Sequence, residues 1–202
     1  EGEFWKRQRR ISQPAFHRDK IASFATQMVQ DTEELLTKWE TSYQKNEPID
    51  ISSEMMHVTL QIMGETLLSA NLSGDAEKVR EAMTTTLRIT NERLRSFIEV
   101  PLSIPTPKNR RFLKARQILD DIVYKIIEDR QNKKNRYQDL LAMLMDTVDE
   151  ETDERMNKKQ LRDEVMTIFL AGHETTANAL SWTFYLLSQN SEAEERLFSE
   201  IR

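Results

Sequence analysis

The chain has no cysteine, so neither a disulfide framework nor a thiolate metal site can be assembled from its own residues. Glycine and proline are scarce, four and five in 202 residues, and three of the prolines are bunched in VPLSIPTPKN. With strand-like alternation also nearly missing, a hairpin-rich all-β chain is excluded. Long apolar runs are lacking: none reaches the roughly 18 to 20 residues of a membrane span, and the opening EGEFWKRQRR is too polar for a signal-peptide core. Positive charge is not in excess either, since 34 acidic residues outnumber 29 basic ones for a formal charge of -5, mixed along the chain. A nucleic-acid footprint is absent, and a soluble, cytoplasmic chain is the expectation. The sequence starts without Met on an amphipathic pattern and stops in EERLFSEIR without a helix stop signal, so both ends read as cut.

What is present is helical periodicity, and the fold class expected is all-α. A first helix covers about Phe4 to Ser12 and halts before Pro14. A second runs from near Arg18 to about Gln44, with Ile21, Phe24, Met28, Leu35, Leu36 and Trp39 at helical spacing. Ser52 or Ser53 is the expected cap for a helix through EMMHVTLQIMGETLLSA. A turn at Asn71 to Asp75 precedes AEKVREAMTTTLRITNERLRSFI, and Thr106 with Pro107 starts a helix to about Gln131. After the polar QNKKNR comes the short helix YQDLLAMLM, then the acidic loop DTVDEETDER. Asn157 with Gln160 reads as a capping box for a helix reaching Ser188, and Ser191 with Glu194 as a second such box.

The long helix presents Leu161, Val165, Ile168, Phe169, Ala179, Leu180, Phe184 and Leu187 at helical spacing. From Leu161 to Leu187 it would measure roughly 40 Å. Its centre, AGHETT, is polar and of poor helix propensity. Ala171 and Gly172 leave the backbone bare enough for a flat ligand to approach. Thr175 can bond back to the Ala171 carbonyl and loosen the helix locally. Glu174 beside it offers a carboxylate for proton conduction. Small residues also occur where helices cross closely, and His173 and Glu174 can equally point to solvent. A metalloprotease is excluded, because Ala177 stands where H-E-x-x-H needs its second histidine, and only His17 and His57 remain elsewhere.

Near the start, Trp5 and Arg9 are four residues apart and share a helix face. Their indole N–H and guanidinium suit a carboxylate or phosphate, and an ordinary cation–π pair on a solvated face is the alternative. Lys6, Arg7 and Arg10 form either solvated surface or a docking patch for an acidic partner.

Ala171-Gly172-His173-Glu174-Thr175-Thr176 matches the pattern Ala/Gly-Gly-x-Asp/Glu-Thr-Thr/Ser, and Trp5 with Arg9 matches W-x-x-x-R, followed by QPAF. In both motifs and their order the chain resembles the cytochrome P-450 family of haem-thiolate monooxygenases. The resemblance implies haem b as cofactor, with Trp5 and Arg9 on a propionate and Ala171 and Gly172 over the distal face. Thr175 would hold the water that receives protons and Glu174 would relay them. Thr167, Ile168 and Ala171 would face the substrate. Dioxygen as co-substrate, an apolar substrate such as a fatty acid, and electrons ultimately from NAD(P)H through a reductase or ferredoxin follow from the same resemblance.

The departures are equally specific. The family's Cys-ligand loop is missing, so no metal ligand lies in this chain and the axial Cys is expected downstream. The later E-x-x-R helix is missing too: Glu92 to Arg95 fits the bare pattern but precedes the AGHETT helix. The small sheet expected ahead of Trp5 is not there. Residues 1–202 therefore read as a single helical portion of a larger domain, truncated at both ends and inactive by itself.

Overall fold

The computed structural model describes residues 2–70, 76–96, 100–132, 137 and 139–202. Among them there is no strand, and the architecture is all-α as expected. Helix α1 (Glu3–Ser12) passes through a 3-10 turn (Gln13–Phe16) into α2 (Arg18–Gln44), followed by α3 (Ile51–Leu68) and α4 (Ala76–Leu94). Then come α5 (Pro107–Asn132), α6 (Leu140–Asp146), α7 (Lys158–Gln189) and α8 (Ser191–Glu200). The turn expected at Asn71 to Asp75, the end of the helix expected through residues 97 and 98, and residues 133–136 of the polar stretch lie outside the described residues.

Local chemistry sets the helix starts. Thr106 Oγ1 accepts from the Asn109 N–H at 3.1 Å, with Pro107 as first helical residue. The Asn157–Gln160 box closes in both directions, at 2.8 and 3.0 Å. Two expected caps are corrected. Asp50, not Ser52 or Ser53, caps α3 by accepting from the Ser53 N–H at 3.2 Å, because the helix starts earlier than its apolar pattern and an Asp carboxylate is available there. No capping box opens α8: Ser191 is already helical, and the Asn190 amide donates back to the Leu186 carbonyl at 2.9 Å, closing α7 instead.

The main core gathers around the first half of α7. Leu161, Val165 and Phe169 pack into one cluster with Leu60 and Leu67 of α3, Leu119, Val123 and Ile127 of α5, and Leu140, Leu141 and Leu144 of α6. Each of those α6 leucines is at most 1% exposed. At about 2 kcal/mol apiece, their burial lets a helix of seven residues persist. The buried Arg130 guanidinium anchors the same corner, donating to the Asp139 carboxylate and to the Leu68 carbonyl at the end of α3. A smaller cluster of Leu35, Met55, Val58 and Ala177 joins α2, α3 and α7.

Beyond Ala177 the expected apolar stripe of α7 fails. Ala179 is exposed, and Leu180 and Phe184 are 36% and 40% exposed, since they line an open groove shared with α2 and α3, where Trp39 meets Phe184 edge-on. Ile21, Met28 and Leu36 of α2 are likewise exposed. They belong to an apolar groove of about 380 Å³ between α2, α3 and α7, or to the open surface beside it.

Candidate functional site

At about 100° per residue, the AGHETT segment distributes its side chains around α7. One line of positions four apart is buried: Leu161, Val165, Phe169, His173 and Ala177. The opposite line, Thr167, Ala171, Thr175, Ala179 and Thr183, is exposed and consists of small side chains. Half-buried Ile168 and Glu174 flank this shelf. The structure therefore brings Thr167, Ile168, Ala171, Glu174 and Thr175 onto one face of one helix.

Gly172 stands apart from them. A Cβ at this position would lie 2.6 Å from Cε and 3.1 Å from Sδ of Met63 on α3, so the glycine is accounted for by close helix packing. For His173 the alternative that it points to solvent is overturned. It is 2% exposed, its Nε2 lies 3.0 Å from the Met56 carbonyl, and burial holds its pKa below the ordinary value. A polar residue in the register of an apolar stripe was the signal available for finding it.

Thr175 bonds back to the Ala171 carbonyl as anticipated, yet α7 remains a continuous α-helix. Thr167 and Thr183 make the same bond to Asp163 and Ala179, at 2.7 and 2.8 Å, so the local loosening expected at Thr175 does not occur. With its proton committed to the helix, the Thr175 hydroxyl presents only acceptor lone pairs outward. Glu174 forms no hydrogen bond or ion pair among the described residues.

On α1, Trp5 and Arg9 share a face, with the guanidinium 5.5 Å from the ring centroid. Neither makes another hydrogen bond or ion pair among the described residues, and none of their side-chain interactions reaches α7. The other cations of α1 are engaged within the chain. Lys6 pairs with Glu3 at 2.7 Å, Arg7 with Glu154, and Arg10 with Asp149 and Glu151. A docking patch of Lys6, Arg7 and Arg10 is thereby reduced to the outer edges of paired side chains.

The donor set suits a haem: an indole N–H and a guanidinium without carboxylate partners fit a propionate, and the small-residue shelf fits a flat macrocycle edge. No cluster of metal ligands occurs among the described residues. The E-x-x-R matches are not a brace. Glu92 pairs with Arg88 at 3.0 Å and Lys108 at 2.8 Å rather than with Arg95. A second match missed in the sequence reading, Glu77 to Arg80, is an exposed pair within α4.

The cytochrome P450 family model matches residues 1–202. The chain is 34% identical over 204 residues to cyclooctat-9-en-7-ol 5-monooxygenase of Streptomyces melanosporofaciens, which covers 99% of this chain and 43% of that protein. It is 32% identical over 198 residues to pentalenene oxygenase of Streptomyces avermitilis, covering 97% of this chain and 42% of that one. The solved cytochrome P450DA heme domain matches with a TM-score of 0.83 at 23% identity, over 99% of this chain and 44% of that structure. The fold is that of the helical part of such a heme domain. The chain belongs to the cytochrome P450 family. It spans less than half the length of these relatives.

Proposed function

We propose that the protein carrying this chain is a haem-dependent monooxygenase that inserts one atom of dioxygen into an apolar organic substrate, with electrons from NAD(P)H through a reductase or ferredoxin. Residues 1–202 would be one helical portion of its single catalytic domain. The observation that carries the reading is the shelf on α7: Thr167, Ala171 and Thr175 exposed in line, with Glu174 at its edge, while the same motif buries His173 on the other side. When bound, haem b supplies the redox-active iron, and its thiolate ligand must come from outside these cysteine-free residues.

The chain's own residues have separate tasks. Trp5 and Arg9 hold a propionate by two charge-assisted or neutral donors. Ala171 keeps the shelf low beside the macrocycle, and Gly172 seats α7 closely against α3. Thr175 accepts a hydrogen bond from a water and fixes its position, and Glu174 carries protons between that water and solvent. Thr167 and Ile168 border the substrate space. A fatty acid is one substrate class. The two relatives named for cyclooctat-9-en-7-ol and pentalenene make olefinic compounds the other class to screen. Alone, these residues lack the thiolate and would be inactive.

The test uses the full-length protein with a redox partner and a panel of both substrate classes, read by mass spectrometry for products one oxygen heavier. Oxygen-dependent products support the reading. A protein that takes up no haem, or takes it up equally well after Arg9→Gln with Trp5→Phe, refutes the assignment of α1.

A further inference from the structure

The α6–α7 loop, residues 147–157, holds a carboxylate that the proposed chemistry does not use. Asp149 is 1% exposed, although it lies in a loop of eight acidic and polar neighbours rather than in the apolar core. Its main chain is fixed at both ends: Asp149 N–H donates to the Glu154 carbonyl at 2.9 Å, and Asp153 N–H donates to the Asp149 carbonyl at 2.8 Å. Thr152 Oγ1 donates to Oδ2 at 2.7 Å. Into this preformed receptacle Arg10 inserts two prongs, Nε to Oδ1 at 2.8 Å and Nη2 to Oδ2 at 3.1 Å. The planar fork of the guanidinium meets the carboxylate at both oxygens, which fixes orientation as well as distance.

The consequence lies on the far side of α1. At about 100° per residue, Arg7 and Arg10 project roughly 150° away from Trp5 and Arg9, with Gln8 and Ile11 between them. Gln8 and Ile11 are buried, so one side of the helix faces the core. Ion pairs at Arg7 and Arg10 then hold a second side against the loop. Two fixed sides leave a ten-residue helix no freedom to roll about its axis. The third side, bearing Trp5 and Arg9, is aimed by default.

We infer that Asp149 is a positioning residue: by gripping Arg10 through both carboxylate oxygens it sets the rotation of α1 and so directs Trp5 and Arg9 toward the haem propionate. The inference rests on the assignment of Trp5 and Arg9 made above. A tilt of one helical position would swing Arg9 by about 100°, enough to take its guanidinium out of reach.

Haem release from the full-length holoprotein to excess apomyoglobin tests this, in the pair Trp5→Phe/Arg9→Gln, in Asp149→Asn and in the two combined. The pair Trp5→Phe/Arg9→Gln and Asp149→Asn are each expected to speed release about tenfold, and the combined variant to release no faster than Trp5→Phe/Arg9→Gln. Should the two effects multiply instead, Asp149 acts by loosening the fold and the inference is overturned. Unchanged release in Trp5→Phe/Arg9→Gln would remove the propionate assignment itself, and the positioning role with it. Arg10→Lys, which keeps the charge and loses the fork, serves if Asp149→Asn does not fold: it should also speed release, and wild-type release would overturn the inference.

Discussion

His173 donates from Nε2 to the main-chain carbonyl of Met56 across 3.0 Å, tying the middle of α7 to α3. A carbonyl only accepts, so the hydrogen sits on Nε2 and the buried Nδ1 is bare, without a partner among the described residues. A second proton would create a cation at a site from which solvent is shut out.

That arrangement predicts a pH dependence with a definite sign. Burial lowers the folded-state pKa of His173 below 6.5, so as pH falls through about 6.5 the unfolded chain takes up a proton and the folded one does not. Stability falls with acid over that window. His173→Leu should lie within about 1 kcal/mol of wild type near pH 8, losing one bond and one unsatisfied nitrogen. It should then gain on wild type as pH is lowered. Urea midpoints of the two proteins across this range decide it, and a difference that stays constant with pH refutes the assignment.

Asp149 acts at lower pH by the same linkage, since here too the folded state resists the proton that the unfolded chain accepts. Hydrogen bonds from Arg10 and Thr152 hold its carboxyl down at about 2 against an ordinary 3.8. The folded state therefore keeps this group ionised where the unfolded chain protonates it. Its contribution is complete above about 3.8 and disappears as pH falls toward about 2. Asp149→Asn should unfold more readily at neutral pH and show a shallower loss of stability between those values. Circular dichroism during acid titration would reveal it; parallel acid limbs in the two proteins would contradict it.

Thr175→Ala separates chemistry from folding. The hydroxyl is exposed and bonds only its own helix, so melting should shift by no more than about 0.5 kcal/mol equivalent. Product formed per NAD(P)H consumed by the full-length enzyme should fall on the order of tenfold to a hundredfold. Unchanged yield would remove Thr175 from proton handling.

Gly172→Ala sets propensity against packing. Alanine gains about 1 kcal/mol in a helix interior, but its Cβ would stand 2.6 Å from Met63 Cε. That methyl is the far end of a flexible side chain and borders the apolar groove of about 380 Å³, into which it can swing. The net change should stay within about 1 kcal/mol. A loss beyond about 3 kcal/mol by thermal melting would mean that Met63 is locked in place.

The helices were legible in the sequence because their signals are local. Thr106 with Pro107, and Asn157 with Gln160, act within four residues and appear as read. The register of α7 was legible only in its first half. Periodicity reports which positions share a side, whereas Leu180 and Phe184 needed a neighbour to cover them, and composition cannot supply one. Thr167, Ala171 and Thr175, singled out in the sequence, come to lie on one exposed line because they are four residues apart. Gly172 kept its place for a different reason, since a methionine more than a hundred positions away lies against it. Arg10 with Asp149, 139 positions apart, could not be seen in any window of the chain.

The winding of α7 gives AGHETT a consequence for engineering. In print it is one word, but on the helix it belongs to two interleaved lines: positions 167, 171 and 175 are exposed, the line proposed above to meet reactants, and positions 165, 169, 173 and 177 are buried in the packing of the helix. A combinatorial library that randomises the contiguous block 171–176 scrambles both, and most of its members will be lost as misfolded protein. Randomising every fourth residue along the shelf varies the proposed reactant face while leaving the buried line of the helix untouched.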